Sequence, residues 1–375
     1  MSVFRNKQGP KRMLIVVPIY GSYRAFLKGA AAWFSARGWE VHVATNLTGA
    51  KVLPDNAQLH DISIPRGGNS IQLCRSAWAL RQLIRLLQPV IVHAHFSVGM
   101  LVTALARPRG VCAVGTFQGL RFPLARGVAR AVFKIAECFS VWRLQRSWVL
   151  TEDDYRAVPK FIRNKLRIQS GFGFGCDVNH YSVLNFRKND RIEQRRLAGI
   201  GSEDFVFVFV GRLTAFKGYP LVLEAFNRLC SERNDVSLLV VGEEDPLHAV
   251  GFPCSSQNDN IYHVGWKDDP APMLLMADAM VFPSSREGMP VCVMEALAMD
   301  LPVILSNSRG CRQLARLAES NLVLDELSCE AVYWKMLKLL DARKPLAKYP
   351  PELRLKIDRD RFHQHLHESY EDLLG

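Results

Sequence analysis

Two glutamates, Glu287 and Glu295, stand with seven residues between them in the stretch FPSSREGMPVCVMEALAMDLPVI, Phe282–Ile304. The first lies beside a glycine and the second two turns into a helical pattern, flanked by Met294, Ala296 and Leu297. An acid in such apolar surroundings calls for a partner. Two readings are open: Glu287 caps its helix and Glu295 faces solvent, or both meet a polar ligand. A second constellation lies upstream, where FVFVFV runs into GRLTAFKGYP. Gly211 allows a tight turn, and Arg212 and Lys217 bring two cations to the strand end before a helix that begins near Pro220. A helix N-terminus carries partial positive charge and free N–H groups, so together with Arg and Lys it suits a diphosphate.

Residues of this kind act only where strands and helices bring them together. Buried strands are predicted at RMLIVVPIY, WEVHVAT, PVIVHAHF and VCAVGTF, separated by helices such as FLKGAAAWFSARG and IQLCRSAWALRQLIRLLQ. After the glycine-rich QSGFGFGCDVNHY the alternation restarts with FVFVFVGRL, VSLLVVG, IYHVG, MVFPS and LPVILS. Strands alternating with helices imply an α/β chain of parallel sheets covered on both faces, and two such runs imply two Rossmann-like domains. The domains are expected at 1–180 and 181–355, with an amphipathic helix at 356–375 that repeats Phe362, Leu366, Tyr370 and Leu373 near a 3.6-residue period. Facing domains would place the carboxyl ends of both sheets around one cleft, and the motifs above do follow strands.

A chain of 375 residues, 49% hydrophobic and 22% charged, has an ordinary globular composition and the length of two domains. Its nine cysteines are scattered singly, which argues for a reducing compartment. The start MSVFRNKQGPKR lacks the apolar core of a signal peptide, and no run of 18 apolar residues predicts a membrane span. The net charge of +12 is uneven: residues 1–170 hold 25 Lys and Arg against 7 Asp and Glu, whereas 171–375 hold 23 against 29. The first half therefore looks made to face a polyanion: nucleic acid, an anionic membrane or a phosphorylated acceptor. No RNP, KH or zinc-finger signature supports nucleic acid, so none is expected as a partner.

The combination VGRLTAFKG, HVGWKDD, FPSSREGMPVCVMEALAMDLPVI and GCDVNHY resembles the nucleotide-sugar glycosyltransferases of the GT-B fold, family 4, over roughly residues 13–325. The likeness is greatest to members that extend capsular, O-antigen or exopolysaccharide units on a polyprenyl diphosphate. It implies a retaining hexosyl- or N-acetylhexosaminyltransferase with a nucleotide-sugar donor, UDP-linked by family context, and no cofactor. It implies that Glu295 binds the ribose hydroxyls and that Glu287 lies near the donor sugar and its leaving phosphate. Gly288, Met289, Pro290 and Val291 would offer backbone to the sugar and diphosphate, and Gly211, Arg212 and Lys217 would meet the diphosphate. With no obvious nucleophile, front-face attack through an oxocarbenium-like state is expected. Arg212, Lys217 and Glu287 form the catalytic set in that scheme, and no metal is needed. The only D-x-D, Asp358–Asp360, lies in the polar tail rather than after a strand.

The first half departs from the family pattern. Many relatives carry a Gly-Gly loop after the first strand, where this chain has Gly21 and Ser22; many have a histidine where this chain has Gln118, which bonds a hydroxyl but shuttles no proton. His93 and His95 end a strand, with His95 a candidate sugar or acceptor contact and a satisfied core histidine the alternative. On the acceptor side, RFPLARGVARAVFKIAECFSVWRLQR places Arg126, Arg130 and Lys134 at four-residue steps, with Phe133, Ile135, Phe139, Val141 and Trp142 as apolar surface. That is the pattern of a helix meeting anionic headgroups or a lipid diphosphate, and equally of a helix packed on a sheet with a charged outer face. The expected protein is a cytoplasmic enzyme, peripheral on the inner face of the cell membrane. Its residues 1–180 would face acceptor and membrane and residues 181–355 would hold the donor. The alternatives are a nucleotide-sugar epimerase of the same fold and a basic nucleic-acid-binding protein.

Overall fold

Met13–Val17 and Phe205–Phe209 are buried throughout, as continuous apolar runs must be when a strand is covered on both faces. The computed structural model describes residues 10–50, 56–65, 70–107, 110–187, 189–244, 258–343 and 349–375, so the N-terminal residues 1–9 lie outside it. The chain forms two compact units: one runs to Phe174 and adds Asp360–Gly375, and the other is Gly175–Arg359.

Among the described residues the first unit holds a seven-stranded sheet of β1 (Lys11–Ile19), β2 (Trp39–Asn46), β3 (Gln58–Asp61), β4 (Ile91–His95), β5 (Cys112–Phe117), β6 (Arg146–Val149) and β7 (Leu166–Ile168). Its order is β3-β2-β1-β4-β5-β6-β7, with parallel pairing throughout. The accompanying helices are α1 (Tyr20–Leu27), α2 (Ala30–Ser35), α3 (Ser70–Leu87), α4 (Phe96–Ala106), α5 (Gly127–Arg143) and α6 (Glu152–Ala157). Helix α4 is almost wholly apolar and lies between α3 and α5 on the sheet, where Met100 and Val102 join Leu14, Val92 and Phe117 in the core.

The second unit holds a six-stranded parallel sheet of β8 (Phe205–Val210), β9 (Val236–Val241), β10 (Ile261–Gly265), β11 (Ala279–Phe282), β12 (Val303–Leu305) and β13 (Leu322–Val323), in the order β10-β9-β8-β11-β12-β13. Its helices are α7 (Asp190–Leu197), α8 (Tyr219–Glu232), α9 (Ala271–Met276), α10 (Val291–Ala298), α11 (Arg309–Ala315), α12 (Cys329–Ala342) and α13 (Pro351–Ile357). The chain then returns to the first unit through α14 (Arg359–Leu374). Phe362, Leu366 and Tyr370 of α14 are buried, as the amphipathic pattern predicts, and Tyr370 stacks on Phe34 at 5.8 Å.

Both sheets run outward from a central strand in two directions, so each has a switch point: between β1 and β4 in the first unit and between β8 and β11 in the second. In open parallel sheets ligands bind outside the carboxyl ends of the strands at that point. The two Rossmann-like parallel-sheet domains expected from the sequence are the architecture the structure holds.

Candidate functional site

At the switch point of the second unit, the loop after β8 and the loop after β11 come together. Lys217 Nζ donates to Glu287 Oε1 at 2.6 Å, and Ser284 Oγ donates to the same oxygen at 2.6 Å. The pair is largely enclosed, with side chains 18% and 11% exposed. Ser284 is itself fully buried, and its carbonyl accepts from Ser306 Oγ, which ties the β11 loop to the end of β12. Phe216 lies between cations: Arg212 is 5.2 Å, Arg286 5.4 Å and Lys217 6.0 Å from its ring. Rings so placed orient cations and keep them apart without neutralising them.

Backbone contact locks these loops. Gly218 ends the β8 loop with φ +78°, and a Cβ there would sit 2.4 Å from the Pro283 carbonyl oxygen. A Cβ on Gly310 would lie 2.0 Å from the Gly288 oxygen. Any side chain at either place would push the β8 loop or the Glu287 loop away from its seat.

Helix α10 begins after Pro290 with no side chain capping it. Glu287 is therefore not a cap, and the first-turn N–H groups from Val291 onward are left for another partner. Met289 and Pro290 are buried beneath the loop. Glu295, on the next turns of α10, is half-buried. It accepts from the Tyr181 hydroxyl, whose pKa is driven far above the ordinary phenol range first by burial and then by the Glu295 charge. Beyond β8 and β9, where Leu213 bridges to Glu244, Thr214 Oγ1 and Glu244 Oε1 are shielded from solvent and have no protein partner. Buried polar atoms in native proteins are normally hydrogen-bonded, so orphaned atoms at strand ends mark ligand space.

The first unit repeats this arrangement at its own switch point. β1 runs directly into α1, placing Gly21 and Ser22 in the first turn, where the N–H groups lack intrahelical partners and no side chain caps them. A Cβ on Gly21 would meet nothing within 4 Å, so open space lies over this turn. β4 ends at His95, and Phe96 then takes φ +65°, a conformation rare for an aromatic residue and of the kind that collects at functional sites. The two histidines separate in role. His93 is satisfied on both sides, by Tyr370 Oη at 2.5 Å and Thr116 Oγ1 at 2.8 Å. His95, stacked on it at 4.2 Å, is buried with Nδ1 lacking a partner, and burial lowers its pKa to about 3. It is neutral at physiological pH, fit to bond a hydroxyl and unfit to neutralise phosphate. Gln118, just beyond β5, leaves both amide atoms enclosed and without a partner.

Helix α5 differs in detail from the sequence picture. Arg126, Arg130 and Lys134 are exposed. At about 100° per residue they share the azimuth that Glu137, Ser140 and Val141 turn toward the sheet further along the helix. The opposite, outward face carries Val128, Val132, Ile135 and Trp142, which are 82%, 57%, 70% and 59% exposed. Val141, expected on the apolar surface, lies in the core. The outermost surface of α5 is thus apolar, and the basic side chains lie on the opposite side of the helix, exposed toward its N-terminal end.

Ser284, Phe216 and Tyr181 were not singled out by the sequence. Ser284 follows an apolar strand within PSSREG, and Phe216 separates Arg212 from Lys217; only the folded loops show what these side chains hold. Among the described residues no group of three or more His, Cys, Asp or Glu is arranged to hold a metal ion. Asp358 of the D-x-D bridges to Cys176, distant in sequence from every strand end discussed above.

Two glycosyltransferase families match the chain. The family described as "Glycosyl transferases group 1" matches residues 190–354, and "Glycosyl transferase 4-like domain" matches 21–165. The chain is 29% identical over 260 residues, 66% of each chain, to the UDP-Gal:alpha-D-GlcNAc-diphosphoundecaprenol alpha-1,3-galactosyltransferase of Escherichia coli. It is 22% identical over 332 residues, 84% of each chain, to the capsular polysaccharide biosynthesis glycosyltransferase CapM of Staphylococcus aureus. In structure it resembles a sucrose-phosphate synthase of Thermosynechococcus elongatus, with a TM-score of 0.77, 16% identity and coverage of 97% of this chain and 99% of the other. At that identity the structural likeness concerns the fold, which is GT-B.

Proposed function

Glycosyltransferase families match residues 21–165 and 190–354 of the chain, and from that likeness we propose that it is a glycosyltransferase that moves a hexosyl or N-acetylhexosaminyl group from a nucleotide-sugar to a polyprenyl-diphosphate-linked saccharide, with retention at the anomeric carbon. The observation that carries the reading is the enclosed Lys217–Glu287 pair at the carboxyl end of β8 and β11, beside the uncapped start of α10. On donor binding the diphosphate takes the place between Arg212, Lys217 and the α10 N–H groups, and Glu287 is released to accept from sugar hydroxyls. Glu295 accepts from the ribose. As the bond to the anomeric carbon stretches, negative charge grows on the leaving diphosphate, and cations fixed there before reaction lower the barrier. The acceptor hydroxyl attacks from the same face and passes its proton to the departing phosphate. In the first unit Gly21 and Ser22 offer uncapped first-turn N–H groups to an anionic group, and His95 and Gln118 bond sugar or acceptor hydroxyls as neutral groups.

The donor base and acceptor class follow the named activity of the Escherichia coli relative, and a role in surface polysaccharide synthesis follows the name of the Staphylococcus aureus one. A lipid-linked acceptor brings the protein to a membrane. On the strength of that acceptor we assign a peripheral contact with the inner face of the cell membrane; no helix among the described residues is long and apolar enough to cross one. The outward apolar face of α5 enters the headgroup region, and the exposed Arg126, Arg130 and Lys134 on the other side of the helix add a longer-range attraction to anionic lipid. Residues 1–180 would then serve acceptor and membrane and residues 181–355 the donor.

A thermal-shift panel of UDP, GDP and their sugars tests the reading. A true donor at about 100 times its Kd adds roughly 2.7 kcal/mol. Stabilisation by UDP and UDP-sugars, lost in Glu295→Ala, is expected; if no nucleotide shifts the transition, the assignment falls.

A further inference from the structure

Glu137 sits in α5 on the face turned to the sheet, 2% exposed. A carboxylate buried to that extent is tolerated when hydrogen bonds replace its water. Its oxygens accept from Ser97 Oγ at 2.5 Å, Arg121 N at 2.9 Å and Phe122 N at 3.3 Å. Asp154, fully buried in α6, accepts from Leu120 N at 3.3 Å and from Thr151 Oγ1 at 3.1 Å. Three successive N–H groups, of Leu120, Arg121 and Phe122, are thus held by two buried acids. Immediately before them stand Gly119, with φ +109°, and Gln118, whose amide is enclosed but unpartnered. Ser97 lies two residues beyond His95, whose Nδ1 is likewise unpartnered. One carboxylate therefore joins the segment that carries His95 to the segment that carries Gln118.

Resting on the transferase reading above, we propose that Glu137, assisted by Asp154, is a positioning residue that fixes the loop 119–122 and so aims the Gln118 amide, two residues past the strand partner of His95, at a hydroxyl of the bound sugar or acceptor. A main-chain loop left to solvent would sample many conformers, and a displacement of about 1 Å at a reacting group can cost about a hundredfold in rate. Glu137 touches neither substrate. It acts through the loop, and it lies on the helix whose outer face is assigned to lipid, so docking of α5 and order in the loop share one element.

The test uses the full chain and Glu137→Gln, which keeps the side-chain volume but turns an acceptor into a donor facing the Phe122 N–H. Hydrogen exchange of the peptide spanning 117–125 is expected to speed up about tenfold or more while strands β1 and β4 keep their protection. Unchanged exchange would overturn the clamp. In transfer assays with a panel of UDP-hexoses and an N-acetylglucosaminyl diphosphate on a short alkyl chain, kcat should fall about tenfold or more with KM for the donor within about twofold. Gln118→Ala should fall similarly, and the double variant should be no worse than either single one, since both remove one function. Additive losses, or a Gln118→Ala variant that matches the parent, would overturn the positioning role. If the parent transfers from no nucleotide-sugar, the transferase reading and the role of Gln118 in it fall together, while exchange still decides the clamp. Should Glu137→Gln not fold, Ser97→Ala, which removes one donor and leaves the acid, carries the same measurements with a severalfold effect on kcat, and a silent Ser97→Ala would sink the link to the β4 segment.

Discussion

Replacing Lys217 by alanine separates chemistry from stability. The ammonium and the Glu287 carboxylate are 2.6 Å apart, so at an effective dielectric of about 20 their gross attraction is about 6 kcal/mol. Most of that is offset by the cost of taking both groups out of water, and the visible penalty of Lys217→Ala is the carboxylate left behind with Ser284 as its one remaining direct donor. About 2 kcal/mol is expected, which would lower the melting transition of the second unit by about 4–8 °C. Adding Glu287→Ala removes the stranded charge and should restore more than half of that loss. Turnover should behave in the opposite way: Lys217→Ala costs about a hundredfold or more in kcat, because it removes charge stabilisation that appears as the diphosphate leaves. The double variant should recover none of it. Scanning calorimetry of the four proteins of the cycle, beside initial rates of nucleoside diphosphate release, reads both quantities. Normal turnover in Lys217→Ala would refute the diphosphate role, and a double variant no more stable than Lys217→Ala would refute the stranded-charge argument.

Glu295→Ala should weaken binding of the free nucleotide with little change in kcat, since ribose contacts are made equally in ground and transition states; isothermal titration with UDP checks this, and unchanged affinity removes the ribose role. Burial holds His95 at a pKa of about 3, against about 6.5 in the unfolded chain. Between those values the unfolded state binds the extra proton, so stability is full above about pH 6.5 and falls by about 1.4 kcal/mol per pH unit as pH drops below it. Denaturant titrations of His95→Gln should show a slope shallower by one proton, and an identical slope would contradict the buried neutral imidazole. On the membrane side, Glu in place of Arg126, Arg130 and Lys134 together should release the protein from anionic vesicles by well over a hundredfold at about 1 kcal/mol per charge. Serine in place of Val128, Ile135 and Trp142 should weaken binding to neutral vesicles as well. Sedimentation equal to the parent in both variants would place lipid contact elsewhere.

The strands of both sheets could be read directly because runs such as MLIVV and FVFVFV have no other way to satisfy a parallel sheet. The ends of those strands could be read too, since Arg212 and Lys217 are cations following apolar residues, and Glu287 and Glu295 are acids within an apolar stretch. What escaped was pairing across distance. Nothing in the spacing of Lys217 and Glu287 says that they share an oxygen with Ser284, or that Tyr181 faces Glu295, because such contacts depend on loop packing enforced by Gly218 and Gly310. The orientation of α5 escaped for a similar reason. Four-residue steps place Arg126, Arg130 and Lys134 together, but which azimuth meets the sheet is set by Glu137, Ser140 and Val141 and their partners. His93 and His95 lie two residues apart on one strand, and the hydroxyls of Thr116 and of Tyr370, the latter far along the chain, tell the satisfied ring from the open one.

That hydroxyl has a consequence for the order in which the protein is made. His93 and its partner are 277 residues apart, and at about 5–20 residues per second a ribosome needs on the order of 14–55 s to travel between them. Throughout that interval the seat of α14, lined by Trp33, Phe34 and Trp39, has no occupant from its own chain. The second unit is complete in sequence before the seat is filled, so the half that emerges first is the half that finishes last. Until then Trp33, Phe34 and Trp39 lack the α14 rings that cover them in the finished fold.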